Sequence, residues 1–137
     1  MAADLERFVT AQAGVLDAVE RELTRGRKES HWMWFVFPQI AGLGRSAMAA
    51  RYALASLDEA KAYAAHPVLG PRLRAWTGLV LAHPERTAYE ILGTPDDLKF
   101  RSSMTLFAHA APDETLFRTA LDRFYGGDED QETLSRL

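Results

Sequence analysis

Lys28-Glu29-Ser30-His31-Trp32-Met33-Trp34-Phe35-Val36-Phe37-Pro38-Gln39 is the stretch around which the rest of the chain is organised. It carries two of the three tryptophans and one of the four histidines, next to the Lys-Glu-Ser-His polar string. From His31 to Phe37 the bulky residues follow neither a period of two nor one of 3.6, so the segment must be buried on nearly every side. It reads as a short helix or extended core segment that Pro38 ends, with other helices packed against it.

Working outward, residues 4–25 read as one amphipathic helix. Leu5, Phe8, Val9, Gln12, Val15, Leu16, Val19 and Leu23 recur at three- and four-residue spacing, and Gly26 stops the run. Downstream, Gly42-Leu43-Gly44 forms a turn and Ser46 caps a helix through Met48, Tyr52 and Leu54. Ser56 and Glu59 have capping-box spacing for a helix from Leu57 to His66. Pro67 or Pro71 starts another, through Trp76 and Val80. Thr87 and Glu90 box the short turn Ala88 to Leu92. Thr94-Pro95-Asp96-Asp97 opens a helix that runs to about Ala110, with Thr94 as its N-cap. Pro112 begins the next, whose stripe is Leu116, Phe117, Ala120, Leu121 and Phe124, and Asp130 caps a last turn from Gln131 to Leu137. No run alternates long enough to argue a strand and no hairpin signal occurs. The expected fold is all-α, six to eight short helices in one domain spanning 1–137.

A 47% hydrophobic and 26% charged composition is that of an ordinary globular chain and excludes the disordered and fibrous classes. Without cysteine there is no disulfide framework, thiolate nucleophile or Cys-based zinc site. His31, His66, His83 and His109 have no short ligand spacing, so no metal is called for, and no motif calls for a cofactor. Asp4, Glu6, Asp17 and Glu20 argue against a secretory leader, and no apolar run approaches a membrane span. A cytoplasmic protein with no membrane partner is expected. A net charge of -3 gives no global attraction to extended nucleic acid.

Three polar constellations remain as candidates for chemistry. His31 beside Trp32 and Trp34 offers a general acid or base next to indoles that stack a planar ligand. Gly44, Arg45 and Ser46 lead into a helix, where backbone N–H groups, a guanidinium and a hydroxyl suit an anion, although the turn is neither a Walker loop nor a dinucleotide fingerprint. Lys99, Ser102 and Ser103 share a helix face as a cradle for phosphate or carboxylate. Each has a plainer reading: aromatic core, turn with N-cap, and small residues at a close helix contact.

The motifs His31 to Gln39, Gly42 to Ser46, His66-Pro67-Val68-Leu69-Gly70 and Lys99 to Phe107, in that order, resemble a bacterial family of unknown function, domain of unknown function 1810, whose members have sometimes carried the label calpastatin. The resemblance runs from Asp4 to Leu137 and implies an all-α domain in a reducing cytoplasm. It implies no established activity and no catalytic residue. Phe100 stands where the Lys-Leu-x-Ser-Ser pattern has leucine, a change of packing rather than of the polar set. A likeness in size and helical content to the family that acts on ADP-ribosylated nucleotides is analogy only.

Together these readings give one cleft lined by Trp34 (or Trp32), Gln39, Gly44, Arg45, Ser46, Lys99, Ser102 and Ser103, with His31 as the acid/base of any hydrolysis. Its ligand would be a small anion such as a nucleotide or ADP-ribose derivative. The rival is a non-enzymatic interaction or structural module in which the same residues are core and caps.

Overall fold

Apolar stripes at helical spacing become helices throughout the computed structural model, which describes residues 4–137. Among the described residues ten form in chain order: α1 (Glu6–Ala13), α2 (Leu16–Arg25), α3 (Met33–Val36), α4 (Ala47–Arg51), α5 (Leu57–Ala65), α6 (Leu69–Leu81), α7 (Ala88–Leu92), α8 (Asp96–Ala110), α9 (Leu116–Tyr125) and α10 (Gln131–Leu134). The all-α class is as expected. The number exceeds six to eight because four helices are single turns of four or five residues. Non-helical pairing among the described residues is confined to one parallel bridge, Ile40 with Leu54, which ties the segment after Pro38 to the segment after α4.

The expected helix over 4–25 is two helices. Gly14 ends α1, and Val15 at φ -130° leaves helical geometry before α2 begins. Glycine is a weak helix former, and the break lets α1 pack on α3 while α2 packs on α6. Side-chain N-caps set the starts of α4, α5, α7 and α10. Ser46 accepts from Ala49 N–H, and Thr87 and Glu90 complete a reciprocal box. Ser56 makes half of its box, because the Glu59 carboxylate reaches Ala55 N–H at 2.9 Å instead of Ser56. Thr94 is not the N-cap of α8. That position falls to Pro95, joined to Thr94 by a cis peptide bond. Pro112 lies in the turn ahead of α9, which starts at Leu116.

The central run is buried as its composition requires. Trp32, Met33, Val36 and Phe37 are closed off, with Phe37 edge-on to Phe100 of α8 at 4.9 Å between ring centroids. A second aromatic line passes from Phe8 through Tyr63 and Phe107 to Phe117, so α1, α5, α8 and α9 share one contiguous core. Helix α8 is its axis, packing against α5, α7, α9 and α10.

The crossing of α5 and α6 depends on Gly70. A Cβ there would lie 2.4 Å from the Ala64 carbonyl oxygen and 3.2 Å from its carbon. Backbone cannot swing aside as a side-chain tip does. Gly70→Ala is therefore expected to destabilise by about 1–3 kcal/mol, read as a lower urea midpoint at unchanged slope.

Candidate functional site

The polar string ahead of α3 is largely taken up by anchoring. Glu22, on the inward face of α2 and 1% exposed, accepts hydrogen bonds from Glu29 N–H at 2.7 Å, Ser30 N–H at 2.9 Å, the Ser30 hydroxyl and the Trp32 indole N–H at 3.0 Å. Lys28 donates to the Ser30 carbonyl, pairs with Asp96 at 2.9 Å and lies over the Trp32 ring. Asp96 opens α8, so this ion pair joins the string to the helix that carries Lys99 and Ser102.

Beyond the buried part of the run, Trp34 and Gln39 are half-buried. Lys99, one turn into α8, places its ammonium 5.5 Å from the Trp34 ring centroid and 3.7 Å from Asp96. Because Lys28 holds Asp96 more closely, Lys99 is the more loosely paired of the two lysines. Two adjoining clefts open here. The larger, about 410 Å³, is lined by Gln39, Gly44, Lys99, Arg101, Ser102 and Asp130, with an apolar rim of Leu43, Pro95 and Leu98. The smaller, about 280 Å³, is a slot lined by Trp34 and the edge of the buried Tyr52, its remaining wall mostly alanine and glycine. Gln39 and Gly44 face both. The Gln39 side-chain amide makes no hydrogen bond to another described residue.

The candidates named from sequence thus separate. Trp34, Gln39, Gly44, Lys99 and Ser102 come together. His31 is exposed and lines neither cleft. Arg45 is exposed, also outside both, and Ser46 is occupied as the cap of α4. Ser103 is fully buried in α8, its hydroxyl without a hydrogen-bond partner among the described residues. The glycines have packing reasons of their own. A Cβ on Gly44 would meet the Ala49 Cβ at 2.4 Å, and Gly42, at φ +99°, has the Arg136 guanidinium where its Cβ would be. Ser102 Oγ lies 3.2 Å from the Leu98 carbonyl oxygen and 3.1 Å from Asp130 Oδ2, two acceptors for one proton. Among the described residues no group of three or more His, Cys, Asp or Glu side chains is placed to hold a metal ion, and no helix is long and apolar enough to cross a membrane.

Sequence reading passed over Glu22, Asp96 and the cleft role of Asp130. A signal existed for the first: Glu22 stands three residues after Val19 and beside Leu23, a carboxylate on an apolar stripe. Asp130 reads from sequence only as a cap, which it is, accepting from Thr133 N–H. That it also faces Lys99 and Gln39 depends on how α10 docks on α8, and no local pattern contains that information.

The family described as "Protein of unknown function (DUF1810)" matches residues 2–137. The chain is also similar to a solved structure, that of the conserved hypothetical protein Rv1873 from Mycobacterium tuberculosis. The two are 54% identical with a TM-score of 0.96, over 98% of this chain and 96% of the other. No curated protein matches it.

Proposed function

As the chain belongs to the family described as a protein of unknown function (DUF1810), we propose a function from its cleft: binding of a small phosphorylated ligand with a planar group, such as a nucleotide or ADP-ribose derivative. The observation that carries this reading is the position of the Lys99 ammonium, beside the larger cleft and 5.5 Å from the ring of Trp34, which walls the smaller one. A ring seated against Trp34 in the smaller cleft would leave its anion within reach of Lys99, and the Gln39 amide at the junction has both donors and its acceptor available. His31 stands outside both clefts, so the reading is of binding and assigns no catalytic group.

Calorimetric titration of adenosine 5′-monophosphate and ADP-ribose into wild type and Lys99→Ala tests it. Binding by wild type and a loss of about tenfold or more in the variant are expected, since a charge-assisted hydrogen bond is lost. Absence of heat with wild type for both ligands sinks the proposal. The rival structural-module reading is favoured by one fact, that Ser46, Ser102 and both glycines already have partners or packing roles within the protein. It predicts that Lys99→Ala changes nothing in these titrations.

A further inference from the structure

The larger cleft contains an acceptor, Asp130, whose backbone and side chain are both held by hydrogen bonds. The backbone of residues 128–130 is pinned to α8: Arg101 donates from Nε to the Asp128 carbonyl at 2.8 Å and from a terminal nitrogen to the Glu129 carbonyl at 2.9 Å, and pairs with the Asp128 carboxylate at 2.6 Å. Asp130 N–H donates to Thr105 Oγ1 at 3.0 Å. The Asp130 side chain is then fixed through one oxygen only. Oδ2 lies 3.1 Å from Ser102 Oγ and accepts from Thr133 N–H at 3.0 Å and the Thr133 hydroxyl at 2.5 Å. Oδ1 takes no hydrogen bond from any described residue, and Asp130 lines the cleft with Lys99 and Gln39.

A carboxylate whose one oxygen is held by the Thr133 N–H and hydroxyl, with Ser102 Oγ beside it, is restricted in rotation, so the direction of Oδ1 is set before any ligand arrives, and a pre-set acceptor adds affinity without an ordering cost. Glu132 lines the same cleft but is mostly exposed, and its nearest cation, Arg136, is 3.9 Å away, so it has no comparable fixation. A ligand complementary to Asp130 and Lys99 together offers hydrogen-bond donors to one and an anion to the other. Sugar hydroxyls on a carboxylate are the charge-assisted pairing that meets the first demand. We infer that Asp130 is a ligand-binding residue that accepts sugar hydroxyls through Oδ1, and that the ligand is a phosphorylated compound with a free ribose diol. This rests on the cleft-binding reading above and narrows it.

The test compares adenosine 5′-monophosphate with its 2′,3′-dideoxy analogue, by calorimetry, on wild type and Asp130→Asn. Wild type should bind the dideoxy compound about tenfold or more weakly, the loss expected when hydrogen bonds to a charged group are removed. In Asp130→Asn, which keeps the size and an acceptor for the Thr133 cap, the two ligands should bind alike. Equal affinity of wild type for both, or discrimination that survives in Asp130→Asn, overturns the role of Asp130 and leaves the cleft reading standing. Failure of wild type to bind either nucleotide overturns this inference, and failure to bind ADP-ribose as well overturns the cleft reading. Should Asp130→Asn not fold, Asp130→Ser, which keeps a capping oxygen for Thr133 N–H but has no second oxygen, takes its place, with the same two outcomes.

Discussion

Glu22→Ala should cost about 3–5 kcal/mol of folding free energy, enough to unfold much of the population of an ordinary small domain. The carboxylate is the common acceptor for two backbone N–H groups, a hydroxyl and an indole, and its removal leaves these donors to face one another around a void where water has little access. Glu22→Gln keeps one acceptor oxygen and the volume, so about 2–3 kcal/mol is expected for the lost charge assistance. The two variants also differ from wild type in acid. Burial pushes the Glu22 carboxyl up, but the hydrogen bonds from Ser30, Glu29 and Trp32 outweigh it and lower its pKa from 4.5 to about 2. The folded value lies below the unfolded one, so as pH falls the unfolded chain takes up this proton first. The stabilisation is complete above about pH 5 and drains away towards pH 2, amounting to about 3 kcal/mol. Glu129 acts in the same direction. Burial raises its pKa, and the contacts from His109 and Arg118 more than reverse that. Urea midpoints measured from pH 7 to pH 2 should fall for wild type and stay flatter in Glu22→Gln. An equally steep fall in the variant would mean that Glu22 is not the group responsible.

The Glu22 network also marks the limit of what could be read from the chain alone. Helix periodicity and capping chemistry are local, and they place several boundaries: Ser46, Thr87, Asp130 and Gly26 do what their positions in sequence imply. One misplaced boundary falls where a tertiary demand competes with a local one: the helix over 4–25 breaks at Gly14, and α1 and α2 have different neighbours, whereas α8 starts after Pro95 rather than at a Thr94 cap. Polar residues were harder still. Lys28, Glu29 and Ser30 look like a site because they are polar beside aromatics, yet Glu29 and Ser30 serve a carboxylate seven and eight residues upstream on a packed helix face, and Lys28 pairs with Asp96 at the start of α8. Lys99 and Gln39 are 60 residues apart in sequence, and only the packing of α8 beside the segment after Pro38 puts them in one cleft.

That division runs through the central stretch itself and can be measured within it. Phe37→Ala should be among the most damaging single changes in the protein, at about 3–5 kcal/mol. The ring is 1% exposed, meets Phe100 edge-on and Trp32 at a tilt, and no neighbour in that aromatic layer has the flexibility to fill the cavity. Trp34→Ala, three residues earlier, removes a larger side chain but a half-buried one whose outer face is the wall of the slot and the platform under Lys99. Solvent already reaches that face, so the substitution enlarges an open cleft instead of creating a void, and a cost at least about 2 kcal/mol smaller than that of Phe37→Ala is expected. Chemical denaturation of both variants decides the matter. If Trp34→Ala proves as destabilising as Phe37→Ala, the indole is core like its neighbours and the slot is an incidental surface dent. If it is well tolerated, a large aromatic stands at the surface with no stability requirement to hold it there, and what it contributes is a face for a ligand.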